Sequence, residues 1–170
     1  AIIVDDDADL DEAVTHVLAS AFSFQGQKCS ACSRVIALEA VYARLVERLV
    51  EAARSLRIGP AEDPANELGP VIDGAAREKI LGYIEQGEKE GKLLYKAAVP
   101  QGGHYAPVAL FEGIGPGHRL AREEIFGPVL AVMRAKNFDE ALALANATEY
   151  ALTGGVFSRS PANLEKAKTE

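Results

Sequence analysis

The sequence predicts an α/β fold, a doubly wound and mostly parallel sheet with flanking helices. Short apolar runs alternate along the chain with segments of helical period. Several runs are apolar throughout, as strands covered on both faces require. The connections between them collect Gly and Pro, the residues that punctuate elements.

Taken in order, Ile2–Val4 reads as the end of a buried strand. Leu10, Val14, Val17, Leu18 and Ala21 recur at helical spacing behind Asp9, a residue type that caps helices, and Gly26 breaks that helix. Arg34–Leu38 is a second buried strand, and Val41, Leu45, Leu49 and Ala53 mark an amphipathic helix with Glu47 and Glu51 on its wet side. Gly59-Pro60, Pro64 and Gly69-Pro70 make 58–70 a loop. Asp73 caps a helix carrying Ile80, Leu81 and Ile84 that ends near Gly87 or Gly91. Lys92–Tyr95 and Pro107–Phe111 are weaker strands, separated by a turn at Gly102-Gly103. Val129–Arg134 is the clearest strand. A helix over Phe138–Ala147, capped by Asn137 or Asp139, a short strand at Gly155–Ser158 and a last helix from Ala162 to Lys168 complete the chain. Parallel sheets of this class bind ligands beyond the carboxyl ends of their strands, which directs attention to loops 26–33, 58–70 and 113–128.

Composition narrows the function. With 170 residues, 48% hydrophobic and 25% charged, the chain is the size of one domain or a piece of a larger one. There are 25 acidic and 18 basic side chains, a net charge of -7. That balance lacks the basic stripe a nucleic-acid surface needs. No apolar run reaches the roughly 18 residues of a membrane span. Ala1-Ile2-Ile3-Val4 runs at once into Asp5-Asp6-Asp7, unlike a signal peptide, and the chain opens without Met, as expected of a start inside a longer protein or after processing. Two cysteines three residues apart are no disulfide framework, so a reducing, cytoplasmic setting is expected.

Two segments carry chemistry. In Phe22-Ser-Phe-Gln-Gly-Gln-Lys-Cys29-Ser30-Ala-Cys32-Ser-Arg34, a thiol follows a Gly break, beside a lysine and near an arginine, at a candidate helix start. Each feature favours the thiolate, the nucleophilic form. The ordinary alternative is a small buried hydrophobe. The Cys29-x-x-Cys32 spacing also admits a redox pair or half a zinc site, but the three histidines, His16, His104 and His118, are scattered, and no metal site is expected. In Arg122-Glu123-Glu124-Ile125-Phe126-Gly127-Pro128-Val129, two carboxylates and a ring precede a turn into the strongest strand. A carboxylate there can bind sugar hydroxyls and a ring can pack on a flat heteroaromatic. The alternative is a solvated Glu pair and a core Phe.

Together, and in this order, the two segments resemble the cysteine active-site signature and the cofactor-side motif of the aldehyde dehydrogenase superfamily. Gly69-Pro70-Val71-Ile72-Asp73 leading to Lys79-Ile80-Leu81-Gly82-Tyr83-Ile84, the stretch Asn146–Ser158 and the opening Ala1–Asp7 look like other parts of the same family, so the resemblance covers essentially the whole chain. Gln25-Gly-Gln-Lys-Cys29-Ser30-Ala with Leu152-Thr-Gly-Gly155 looks most like the 1-pyrroline-5-carboxylate (glutamate semialdehyde) dehydrogenase branch. The resemblance implies that Cys29 is the nucleophile, that Glu124 holds the nicotinamide ribose of NAD (with NADP left open), and that Phe126 packs near the nicotinamide. It offers Lys79 as a further cofactor contact. Ser30 would donate to the substrate's carboxylate, or else only cap a helix. Cys32 reads as a packed core thiol and Glu123 as a solvated neighbour of Glu124. Two positions depart from the family pattern: Ala76 stands where Gln is usual, and Ala151 where Gly is usual. The resemblance further implies a small aldehyde as substrate and a homo-oligomeric parent enzyme. It makes residues 1–170 part of a catalytic domain, with the NAD-binding domain, general base and substrate loop elsewhere, and no useful activity for this segment alone. The other readings are a different aldehyde dehydrogenase branch, a non-catalytic fragment, and a dithiol redox module.

Overall fold

The computed structural model describes all residues, Ala1–Glu170. Its strands are β1 (Ile2–Val4), β2 (Arg34–Leu38), β3 (Lys92–Lys96), β4 (Ala109–Glu112), β5 (Val129–Ala135) and β6 (Gly155–Phe157). Its helices are α1 (Leu10–Phe22), α2 (Glu39–Ser55), α3 (Gly74–Glu90), α4 (Arg119–Arg122), α5 (Phe138–Asn146) and α6 (Pro161–Thr169). The six strands form one sheet in the order β3-β4-β5-β2-β1-β6. All neighbours are parallel except β3, which runs antiparallel to β4 at one edge. That edge is flanked by exposed Lys92 and Lys96 and carries a register shift between Leu93 and Tyr95, features that blunt further strand pairing.

Strand alternation explains the two covered faces. Val4, Val35, Ala37, Leu130 and Val132 point to one face and pack with Val14 and Val17 of α1 and Leu45 and Leu49 of α2. Phe111, Val129 and Ala131 point to the other and pack with Ile80 and Ile84 of α3 and Leu120 of α4. On that same face Ile3, Ile36 and Met133 pack with Phe138, Ala141 and Leu142 of α5. The sheet is thus doubly wound, as the apolar runs predict. Helix starts follow the expected caps: Asp9 accepts from the Asp11 and Glu12 N–H groups, Asp73 from Ala76, and Asn137 from Glu140. The four-residue α4 lies inside the stretch read as loop from sequence, too short to show a period.

The two ends of the sheet are finished differently. At the carboxyl ends, β2 runs directly into α2 and β5 reaches α5 after two residues. Beyond β1 and β6, buried Asp5 accepts from Ser158 Oγ at 2.6 Å and Asn163 Nδ2 at 2.7 Å, so this end is closed by its own side chains. At the amino ends, long connections arrive at β2, β5 and β6. Buried Arg34 anchors them by donating to the Leu144 and Ala145 carbonyls at 2.9 and 3.1 Å, a cation at the C-terminus of α5.

Two glycines of α3 separate helix propensity from packing. A methyl group at exposed Gly82 meets nothing within 4 Å, whereas one at buried Gly87 lies 2.7 Å from Leu120 and 2.8 Å from Phe111. Gly82→Ala is therefore expected to stabilise the chain by roughly 1 kcal/mol in urea unfolding. Gly87→Ala is expected to lose that gain to overpacking of about 1–3 kcal/mol. Equal effects of the two changes would contradict this packing.

Candidate active site

A cavity of about 300 Å³ opens at the amino ends of β1, β2 and β5, lined among others by Cys29, Lys28, Arg34, Glu124, Phe126 and Tyr150. This corrects the expectation of a site at the carboxyl ends. There the connections are short or tied off, while the long glycine-bearing connections 23–33 and 113–128 both enter strands from the amino side. Loop 58–70, the third segment singled out, lies behind the cysteine turn rather than in the cavity. The Gln25 amide accepts from the Gly69 N–H at 2.7 Å when oriented by its neighbours, and Gln27 Oε1 accepts from the Ile72 N–H at 2.9 Å.

The cysteine rim is built on unusual backbone. After α1 the chain tightens into a single turn in which Phe24, Gln25 and Gly26 all have positive φ, at 55°, 58° and 67°. Phe24 and Gln25 are held there at a cost typical of left-handed non-glycine residues, on the order of 1–3 kcal/mol each. Gly26 has no alternative: a methyl group on it would overlap the Gly127 carbonyl and lie 2.9 Å from that of Ala21. The chain then turns again, Ala31 N–H donating to the Lys28 carbonyl at 3.0 Å, with Cys29 and Ser30 exposed at the tip. No helix starts here; the next element is β2. Contrary to expectation, no helix dipole acts on Cys29, and Ser30 caps nothing. Ser30 instead lines a smaller cavity of about 190 Å³ beside the first. The Cys29 N–H donates to no acceptor in the chain and is free for a ligand oxygen. The Lys28 ammonium sits 5.8 Å from the Phe24 ring centre.

Cys32 behaves as the packed thiol the sequence suggests. It is 4% exposed, donates to the Arg34 carbonyl at 3.3 Å, and burial pushes its pKa up to about 11. A thiol so held is a poor partner in a dithiol redox pair or a metal site.

The opposite rim is 123–127. The Glu124 side chain is exposed and without a partner in the chain, while its main-chain carbonyl accepts from Lys79 Nζ at 2.9 Å. Lys79 is absent from the cavity wall, so it touches the backbone of Glu124. Phe126, at φ 58° and 38% exposed, lines the cavity and is not a core ring. Ile125 between them is buried against α3. Glu123 is solvated, as expected, but it is also paired: it accepts two bonds from the Arg119 guanidinium at 2.8 Å and one from the Tyr83 hydroxyl at 2.6 Å. Those donors hold its carboxyl well below the usual range, at about 2. Sequence reading missed this use of Arg119 and Tyr83, although the i, i+4 spacing of Arg119 and Glu123 was a visible signal. Ala151 adopts no positive φ, so its departure from the family glycine strains nothing. Ala76 gives its N–H to Asp73 in the first turn of α3.

The contrast between the two thiols is directly measurable. Brief treatment of the native protein with iodoacetamide near neutral pH is expected to label Cys29 and leave Cys32 unmodified until denaturant is added, as read by peptide mass spectrometry. Equal labelling of both cysteines would contradict this arrangement.

Comparison with known proteins places the whole arrangement. The sequence pattern of the aldehyde dehydrogenase family matches residues 1–170. A 1-pyrroline-5-carboxylate dehydrogenase of Geobacillus sp. (strain WCH70) is 49% identical over 170 residues, 99% of this chain and 33% of the relative. The chain therefore spans about a third of the length of such relatives. Proline utilization A from Bdellovibrio bacteriovorus, in a crystal structure of the form inactivated by N-propargylglycine, superposes with a TM-score of 0.98 at 59% identity. That match covers 99% of this chain and 18% of the other. A 1-pyrroline-5-carboxylate dehydrogenase from Thermus, solved with bound NAD, gives a TM-score of 0.95 at 46% identity, covering 98% of this chain and 32% of its own. With the cysteine and Glu-Phe rims facing one cavity, and with this match along its full length, the chain belongs to the aldehyde dehydrogenase family.

Proposed function

We propose that this chain is the cysteine-bearing third of a NAD(P)-dependent aldehyde dehydrogenase that oxidises L-glutamate γ-semialdehyde to glutamate. The observation that carries the reading is the cavity itself, with a free thiol at Cys29 on one rim and the unpartnered Glu124 carboxylate with the Phe126 ring on the other. The rims suit a nicotinamide nucleotide: an exposed carboxylate can accept from vicinal ribose hydroxyls, and an exposed ring fixed by its backbone can pack against a flat heteroaromatic. When bound, the nicotinamide supplies the acceptor for the two electrons of the oxidation.

The chain's own residues account for the rest. The Cys29 thiolate adds to the aldehyde carbon, and the C–S bond formed gives a thiohemiacetal. The Cys29 N–H, free of any other acceptor, stabilises the oxygen as it becomes negative. Oxidation of the thiohemiacetal carbon leaves a thioester on Cys29, and water then releases the acid and returns the thiol. Glu124 orients the cofactor's ribose, Phe126 walls off its ring, and Lys79 acts by fixing the Glu124 main chain. Ser30, on the wall of the second cavity, is assigned the substrate's distal carboxylate as its acceptor, a role supported by that position. The substrate choice rests on the likeness to the Geobacillus and Thermus enzymes.

The test uses the full-length enzyme carrying this chain. Cys29→Ser is expected to lower kcat for NADH formation from glutamate semialdehyde by on the order of 10³ or more. Cys32→Ala is expected to keep the covalent acyl adduct on Cys29. NADH formation by Cys29→Ser at the parent rate would overturn the reading.

A further inference from the structure

Glu124 is the only carboxylate on its rim without a partner, yet the side chain before it and its own carbonyl are both held. The fixing comes from one stripe of α3. Tyr83, Gly87 and Glu90 lie on the same helical face. Gly87 brings Leu120 of α4 close, and Glu90 accepts from the Arg119 and Leu120 N–H groups at 3.0 and 3.1 Å. Arg119, so placed, closes on Glu123 with both Nε and Nη2, and Tyr83 adds its hydroxyl. The Tyr83 ring is near two cations, its centre 5.3 Å from the Arg119 guanidinium and 5.9 Å from Lys79 Nζ. Lys79 in turn holds the Glu124 carbonyl. The side chain before Glu124 and its own carbonyl are therefore both tied to α3, while its carboxylate is left free at the cavity.

We infer that Tyr83, Arg119 and Glu123 form a positioning clamp that sets the Glu124 carboxylate for the cofactor's ribose. The inference rests on the cofactor role proposed for Glu124. Tyr83 and Arg119 lie off the cavity wall, and Glu123, which lines it, has both carboxylate oxygens taken by them, so the three act through the backbone of 123–124. A bidentate guanidinium–carboxylate pair fixes direction as well as distance, and a lysine in place of the arginine keeps the charge but loses the fork. The effect therefore belongs in the affinity for the dinucleotide, and neither in that for the aldehyde nor in the reactivity of Cys29.

Steady-state kinetics of the full-length enzyme separate the possibilities. Glu123→Ala is expected to raise KM for NAD about tenfold, with KM for the aldehyde within twofold of the parent. Arg119→Lys is expected to show much of the same rise, and the Arg119→Ala, Glu123→Ala double variant to be no worse than the worse single one. Should Glu123→Ala fail to fold, Tyr83→Phe removes a single hydroxyl, with an expected rise of about threefold in the same direction. Glu124→Ala is the control. A raised KM for NAD in Glu124→Ala, with Glu123→Ala and Tyr83→Phe both at the parent value, would overturn the clamp alone. An unchanged KM in Glu124→Ala would overturn the cofactor role and the clamp with it.

Discussion

Everything at this site depends on two backbones touching. Gly26, at the end of the turn that follows α1, lies against the carbonyl of Gly127, at the end of the turn that precedes β5. On its far side Gly127 abuts Ile80 of α3. Since α1 and α3 cover opposite faces of the sheet, this stack joins the two helical layers around the sheet's amino edge. The cysteine rim and the carboxylate rim are thereby parts of one packed unit. The strained Phe24 and Gln25 backbones are tolerated because the turn is held on several sides, through Gly69, Ile72 and Gly127.

The environment of Cys29 is correspondingly plain. It sits at the tip of a turn, exposed, with no helix behind it, and the neighbouring lysine leans on Phe24. What distinguishes it from Cys32 is access. Three residues on, Cys32 is buried, bonded to a carbonyl and held protonated far above neutral pH. The same short segment thus presents one thiol to the cavity and seals the other in the core.

Much of the fold was legible in the sequence because its signals are local. The caps at Asp9, Asp73 and Asn137, the apolar strands and the amphipathic α2 each follow from a few neighbouring residues. The two motifs were legible as well, and the fold brings them to one cavity. What escaped were relations between distant residues. Nothing local shows that β3 turns antiparallel, that Phe24 and Gln25 go left-handed, or that Glu123 meets Tyr83 across from α3. The end of the sheet that carries the site was misjudged for the same reason. It depends on which connections are tied off, and the Asp5–Ser158–Asn163 knot joins the two ends of the chain.

The Gly26–Gly127 contact holds the Cys29 rim and the Glu124–Phe126 rim in register. The most direct measurement is kcat/KM for the folded Gly26→Ala variant of the full-length enzyme. A methyl group there must displace the Gly127 carbonyl, and a misplacement on the order of 1 Å costs about a hundredfold in rate. A fall of at least about tenfold is expected. A value within about twofold of the parent would contradict it.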